Sequence, residues 1–184
     1  MKNFKALVII DIQNDYFENG ANPLEGSQEA VRNAHKLLTY FREQNHLVVY
    51  MKHHAIGPGS TFFIPDTPGA EIHTDVMPLK DEPVIIKHFP NSFRKTELLD
   101  YLLSQSISDI VFCGMMTHMC VDATVRAAKD FDFNCTLISD ACATKALEIQ
   151  GQKVAAREVQ YAFLSALNYY YAEVKTTDEF LDEQ

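Results

Sequence analysis

An α/β fold is predicted for this chain, with three α/β/α layers around a mostly parallel sheet of roughly six strands. Two observations carry the expectation. Short β-rich apolar runs alternate with amphipathic helical patterns along the 184 residues, the order that builds a parallel sheet covered on both faces. That length is enough for one substantial core, so residues 1–184 read as a single domain.

Each element has its own signal. Phe4 to Ile10 is a β-rich apolar run that stops at Asp11, and a helical pattern follows over Glu29 to Gln44. Leu47 to Met51 is the second strand. His53 to Pro83 then breaks the alternation: Gly57, Pro58, Gly59, Pro65, Pro68, Gly69, Pro78 and Pro83 leave no sustained period. The result is an excursion of about thirty residues, well beyond the usual connection length and suited to a lid, a pocket wall or an oligomer arm. Val84 to Lys87 is the third strand and Thr96 to Ser104 the next helix. The run from Asp109 to Gly114 is apolar enough for a covered parallel strand. Val121, Val125 and Ala128 recur at helical spacing, which predicts a helix over Thr117 to Asp130 with Cys120 in its first turn. Asn134 to Ile138 is a fifth strand, Gln152 to Leu167 a helix, and Ala172 to Lys175 a weaker strand. Asp178 to Gln184 is acidic and reads as a surface helix end.

Composition narrows the function. A formal charge of −9 and a pI near 5.2, with no lysine or arginine cluster, argue against nucleic acid or an anionic membrane as partner. Asp11 ends the first apolar run before it reaches the length of a signal peptide or membrane span, so a cytoplasmic location is expected. Cys113, Cys120, Cys135 and Cys142 form no CxxC pair, and reduced thiols are expected. Cys113 and Cys135 fall in predicted strands as small buried hydrophobes. Cys120 differs. At a helix start, unpaired backbone N–H groups and the positive end of the dipole favour a thiolate.

Asp11 follows the first strand, Lys87 closes the third, and Cys120 lies just past the fourth. Parallel strands end along one edge, where open α/β sheets bind ligands. There an aspartate can take a thiol proton and return it to a leaving group, and a lysine beside the sulfur favours the thiolate. Backbone N–H groups near Met116 and Cys120 are placed to hold an oxyanion. Gly57-Pro58-Gly59 lacks the third glycine of a dinucleotide fingerprint, and no phosphate-binding loop occurs, so no cofactor is expected.

The segments Ala6-Leu7-Val8-Ile9-Ile10-Asp11-Ile12-Gln13-Asn14-Asp15-Tyr16-Phe17, Val84 to Lys87, Gly114 to Val121 and Leu137 to Thr144 together resemble the isochorismatase-like cysteine hydrolases. That family includes nicotinamidases and N-carbamoylsarcosine amidohydrolase. The resemblance implies an Asp-Lys-Cys triad: Asp11 as proton shuttle, Lys87 as electrostatic activator and Cys120 as nucleophile. It also implies a cis bond before Met116, with the Met116 and Cys120 N–H groups as the oxyanion hole. The expected partner is a small amide substrate, with self-association through the long loop or Tyr169 to Tyr171. Phe17, Phe62, His73, Phe93 and His118 are the candidates for lining the pocket.

Nicotinamidases of the family hold a metal with an aspartate and histidines after the second strand, where this chain has Lys52-His53-His54. His53, His54, His73 and His88 carry no ligand-spacing motif, and no metal is expected. Two alternatives to a cysteine amidohydrolase stay open at this level. One is a non-catalytic ligand-binding or thiol-sensing protein on the same fold, the other a metal-dependent amidase.

Overall fold

The structure is a computed structural model and describes residues 5–184. Phe4, the expected start of the first strand, lies outside the described residues. The elements in order are β1 (Lys5–Ile10), α1 (Ser27–Glu43), β2 (Leu47–His53), β3 (Val84–Lys87), α2 (Leu98–Ser104), β4 (Asp109–Met115), α3 (Asp122–Asp130) and β5 (Asn134–Ala143). They continue with β6 (Leu147–Ile149), β7 (Gln152–Val154), α4 (Ala156–Tyr170), β8 (Glu173–Lys175) and α5 (Thr177–Asp182).

Six strands form one parallel sheet in the order β3-β2-β1-β4-β5-β8. Side chains of β1 alternate between its faces. Leu7 and Ile9 join one buried cluster with Val31, Leu38 and Phe41 of α1, while Ala6, Val8 and Ile10 join a second with Leu98 and Leu102 of α2, Val125 of α3 and Leu167 of α4. Helices therefore cover both faces, as strands apolar at every position require. Coverage is incomplete at the β3 edge, where Val84 and Ile86 face outward and are each 38% exposed. The strand order reverses direction between β1 and β4. A crevice at the carboxyl ends of these strands is where such sheets bind ligands.

Gly114 makes the close approach of β4 to β1 possible at this point. Its φ is +136°, and a Cβ there would sit 2.0 Å from the Ile10 carbonyl oxygen. No other residue fits.

Three elements depart from expectation. Residues 152–154, expected as the start of a helix, instead pair with β6 as a hairpin. The connecting Gln150-Gly151 has positive φ at both residues (53° and 75°), the geometry that closes a two-residue hairpin, and the helix begins only at Ala156. The fifth strand runs on to Ala143, with a register shift against β4 between Phe112 and Gly114. The acidic C-terminal segment is more than a surface end. Phe180 of α5 is buried and its ring stacks on Phe41 at 6.1 Å, while the Thr177 N–H and Oγ1 both donate to Asp140 Oδ1 at 2.8 Å. Among the described residues no helix is long and apolar enough to cross a membrane.

Candidate active site

Asp11, at the end of β1, and Lys87, at the end of β3, are both completely buried, and Lys87 Nζ lies 2.7 Å from Asp11 Oδ2. One strand, β2, separates β1 from β3, and the long lysine side chain spans the gap. The ammonium also donates to the Phe89 carbonyl oxygen at 3.1 Å. Burial works against its charge, but Asp11 and Cys120 outweigh burial and hold Lys87 above the ordinary lysine value. Asp11 is less well served. Lys87 is its ion-pair partner, and no backbone N–H reaches either carboxylate oxygen among the described residues. Buried polar oxygens of this kind are rare.

Cys120 enters from the opposite side of the crevice. It belongs to a wide turn over Thr117–Val121, in which the Val121 N–H reaches back to the Met116 carbonyl oxygen at 3.3 Å before α3 begins. Such widened turns recur at functional sites. The Met115–Met116 peptide bond is cis. Cys120 is 5% exposed, and its sulfur lies within 4.8 Å of an Asp11 carboxylate oxygen and of a His53 ring nitrogen.

The sequence suggested that the helix start and Lys87 would hold this sulfur as a thiolate. The structure corrects that. Burial first, and then the Asp11 carboxylate, push the Cys120 thiol well above the ordinary cysteine value, and Lys87 opposes them without prevailing. A group whose pKa is raised keeps its proton through neutral pH. Alkylation of Cys120 by iodoacetamide, followed by mass spectrometry, is therefore expected to be at least about tenfold slower at pH 7 than for a simple thiol and to climb beyond about pH 9. A rate plateau already reached near neutrality would show a resting thiolate instead.

The remaining candidates are dispersed. Phe17 is buried and its ring lies 3.9 Å from that of His73. Phe62 packs on Tyr16 and Phe63 at 5.8 and 5.0 Å. Phe93 is buried in the same cluster as Cys120, with its ring against Phe131 and Phe133. His118 is directed elsewhere, its Nδ1 2.5 Å from Thr144 Oγ1 and its ring edge-on to Phe163 of α4.

The histidines do not assemble a metal set. Among the described residues, the one cluster of three potential ligands is Asp11, His53 and Cys120. A metal does not fit there, because the Lys87 ammonium already lies 2.7 Å from Asp11 and 3.1 Å from His53 Nδ1. Near the end of β2, Lys52 pairs with Glu71 at 2.9 Å.

Two residues at the site were not assigned roles from sequence, Gln13 and His53. Gln13 is fully buried. Its side chain grips the His53 backbone twice, accepting from the N–H at 2.7 Å and donating to the carbonyl oxygen at 2.9 Å, and donates to the Ala70 carbonyl oxygen at 2.8 Å. It thus ties β2 to the long loop. The loop has a second anchor in buried Asp15, whose Oδ2 accepts from the Phe63 N–H at 2.6 Å. The signal for Gln13 lay in its spacing, two residues after Asp11 at the end of a buried strand.

The isochorismatase domain family matches residues 5–179. An uncharacterized isochorismatase family protein of Bacillus subtilis, YddQ, is 49% identical over 96% of this chain and 98% of its own length. A streptothricin hydrolase of Streptomyces noursei is 31% identical over 76% of this chain and 54% of that protein. A crystal structure of a putative isochorismatase hydrolase from Oleispira antarctica superposes with a TM-score of 0.94 at 43% identity, covering 99% of this chain and 98% of that one. The chain belongs to the isochorismatase family.

Proposed function

We propose that this protein is a cysteine amidohydrolase that cleaves a small carboxamide, at a C–N bond other than a peptide bond, without a cofactor. The observation that carries the reading is the fully buried Asp11–Lys87 pair beside the Cys120 sulfur. A protonated thiol next to a carboxylate is a nucleophile and its base in the resting state.

In the proposed reaction the Cys120 S–H proton passes to Asp11 as sulfur bonds to the amide carbon, and the carbonyl becomes an oxyanion. The Met116 and Cys120 backbone N–H groups receive that charge. Collapse breaks the C–N bond, and Asp11 gives its proton to the departing nitrogen, releasing ammonia or an amine. A water then attacks the thioester. Asp11 takes one of its protons, the C–S bond breaks, and the carboxylic acid leaves as Cys120 regains its proton. Lys87 stays charged throughout and offsets whichever neighbour is negative.

The test is a panel of small amides assayed for ammonia or amine release, with Cys120→Ser as control. Turnover by the parent and its loss in the variant are expected. Equal turnover by both proteins would remove the covalent mechanism.

A further inference from the structure

The strand order places one more side chain beside the two buried charges. β2 lies between β1 and β3, and the register pairs His53 directly with Lys87. His53 Nδ1 is 3.1 Å from Lys87 Nζ, the ring's only hydrogen bond among the described residues. An ammonium has three donors and no acceptor, so Nδ1 must be the acceptor in this contact. Burial holds the ring neutral, with Asp11 opposing the effect and Lys87 adding to it, and its pKa falls to about 4. A neutral ring with bare Nδ1 carries its hydrogen on Nε2. The ring is further fixed by Gln13 at its backbone and by the Phe63 ring, whose centroid is 5.9 Å away.

We infer that His53 is a substrate-orienting residue whose Nε2–H selects carboxamides bearing a hydrogen-bond acceptor on the acyl side, close to the scissile carbonyl. The inference rests on the amide reading above and adds a substrate class to it. The acceptor's position follows by elimination. The leaving nitrogen brings N–H groups of its own, which a donor cannot bind, and the scissile oxygen goes to the backbone N–H groups of the 116–120 turn. An acceptor elsewhere on the acyl fragment is what remains for a donor on a ring that has a nitrogen within 4.8 Å of the sulfur.

A matched pair of probes tests this: pyridine-2-carboxamide, with a ring nitrogen beside the carboxamide, and benzamide, of the same shape without it. Calorimetric titration into the Cys120→Ser protein, where turnover does not interfere, is expected to show the pyridine amide binding about tenfold tighter, the scale of one neutral hydrogen bond. Adding His53→Asn keeps an oxygen where Nδ1 meets Lys87 but leaves nothing at Nε2, and the preference should vanish. Adding His53→Gln places an amide N–H near Nε2 without the Lys87 contact, and the preference should survive. Persistence of the preference in His53→Asn, or no binding of either amide, overturns the inference. Long-range proton–nitrogen NMR provides a check independent of substrate, with His53 expected to be protonated at Nε2 and bare at Nδ1 at pH 7. A proton on Nδ1 overturns the inference as well. If the binding preference behaves as stated but the enzyme with Cys120 intact hydrolyses no amide, the hydrolase reading fails while the assignment of His53 stands.

Discussion

Cys120→Ala removes amide hydrolysis while leaving the fold in place. The sulfur is the atom that bonds to the substrate carbon in the proposed scheme, and no other thiol can replace it: Cys113, Cys135 and Cys142 are buried away from the cluster of Asp11, His53 and Cys120. Loss of a nucleophile whose partners act as a unit typically costs about 10⁴-fold or more in kcat. Stability should change little, because the substitution deletes one small atom and leaves the Asp11–Lys87 contact intact. A shift of no more than about 1–2 kcal/mol is expected, within the usual range for single substitutions. Ammonia release measured beside chemical denaturation separates the two effects. Retained turnover with an unchanged denaturation midpoint would falsify the nucleophile assignment.

Lys87→Met lowers stability as well as activity. Methionine fills a similar volume, so packing is roughly kept, but Asp11 is left buried without its counter-charge. Breaking one side of a buried pair costs about 3–5 kcal/mol, because the surviving charge is neither paired nor solvated. The double variant Asp11→Asn with Lys87→Met removes both charges and should recover most of that loss without recovering activity. The pH dependence follows from the direction of the lysine shift. Lys87 titrates above its ordinary value in the folded protein, so the pair's stabilisation is fully present below the unfolded value of 10.5 and fades as pH rises through the folded value. Urea denaturation at pH 6 and pH 9 should thus show the same deficit for Lys87→Met, and a deficit that disappeared by pH 9 would contradict the ion-pair account.

Much of this site could be read from the sequence because strand ends carry it. Apolar runs closing at Asp11 and Lys87, and a run leading into Gly114, specify both the sheet and the edge where these groups meet. What escaped reading depended on packing or turn geometry. Gln152, Lys153 and Val154 continue smoothly into a helical pattern, and only the positive φ of Gln150 and Gly151 diverts them into a hairpin. Phe180 sits among acidic residues, and its burial is decided by Phe41, far away in the chain. The state of the Cys120 thiol was misjudged because residue types identify neighbouring charges but not how completely water is excluded. His53 was visible only as one of several loop histidines until the strand order put it beside Asp11 and Lys87.

The burial of the pair also determines how dissolved ions can act on the proposed chemistry. At rest a thiol, a carboxylate and an ammonium sum to zero charge. Moving the proton from sulfur to Asp11 leaves a thiolate, a carboxylic acid and an ammonium, which again sum to zero. Because the total never changes and all three groups are shielded from solvent, the proton transfer that readies the nucleophile presents no net field for salt to screen. Ionic strength is left to act at the exterior, where the net charge of −9 bears on the approach of a charged amide and not on its cleavage.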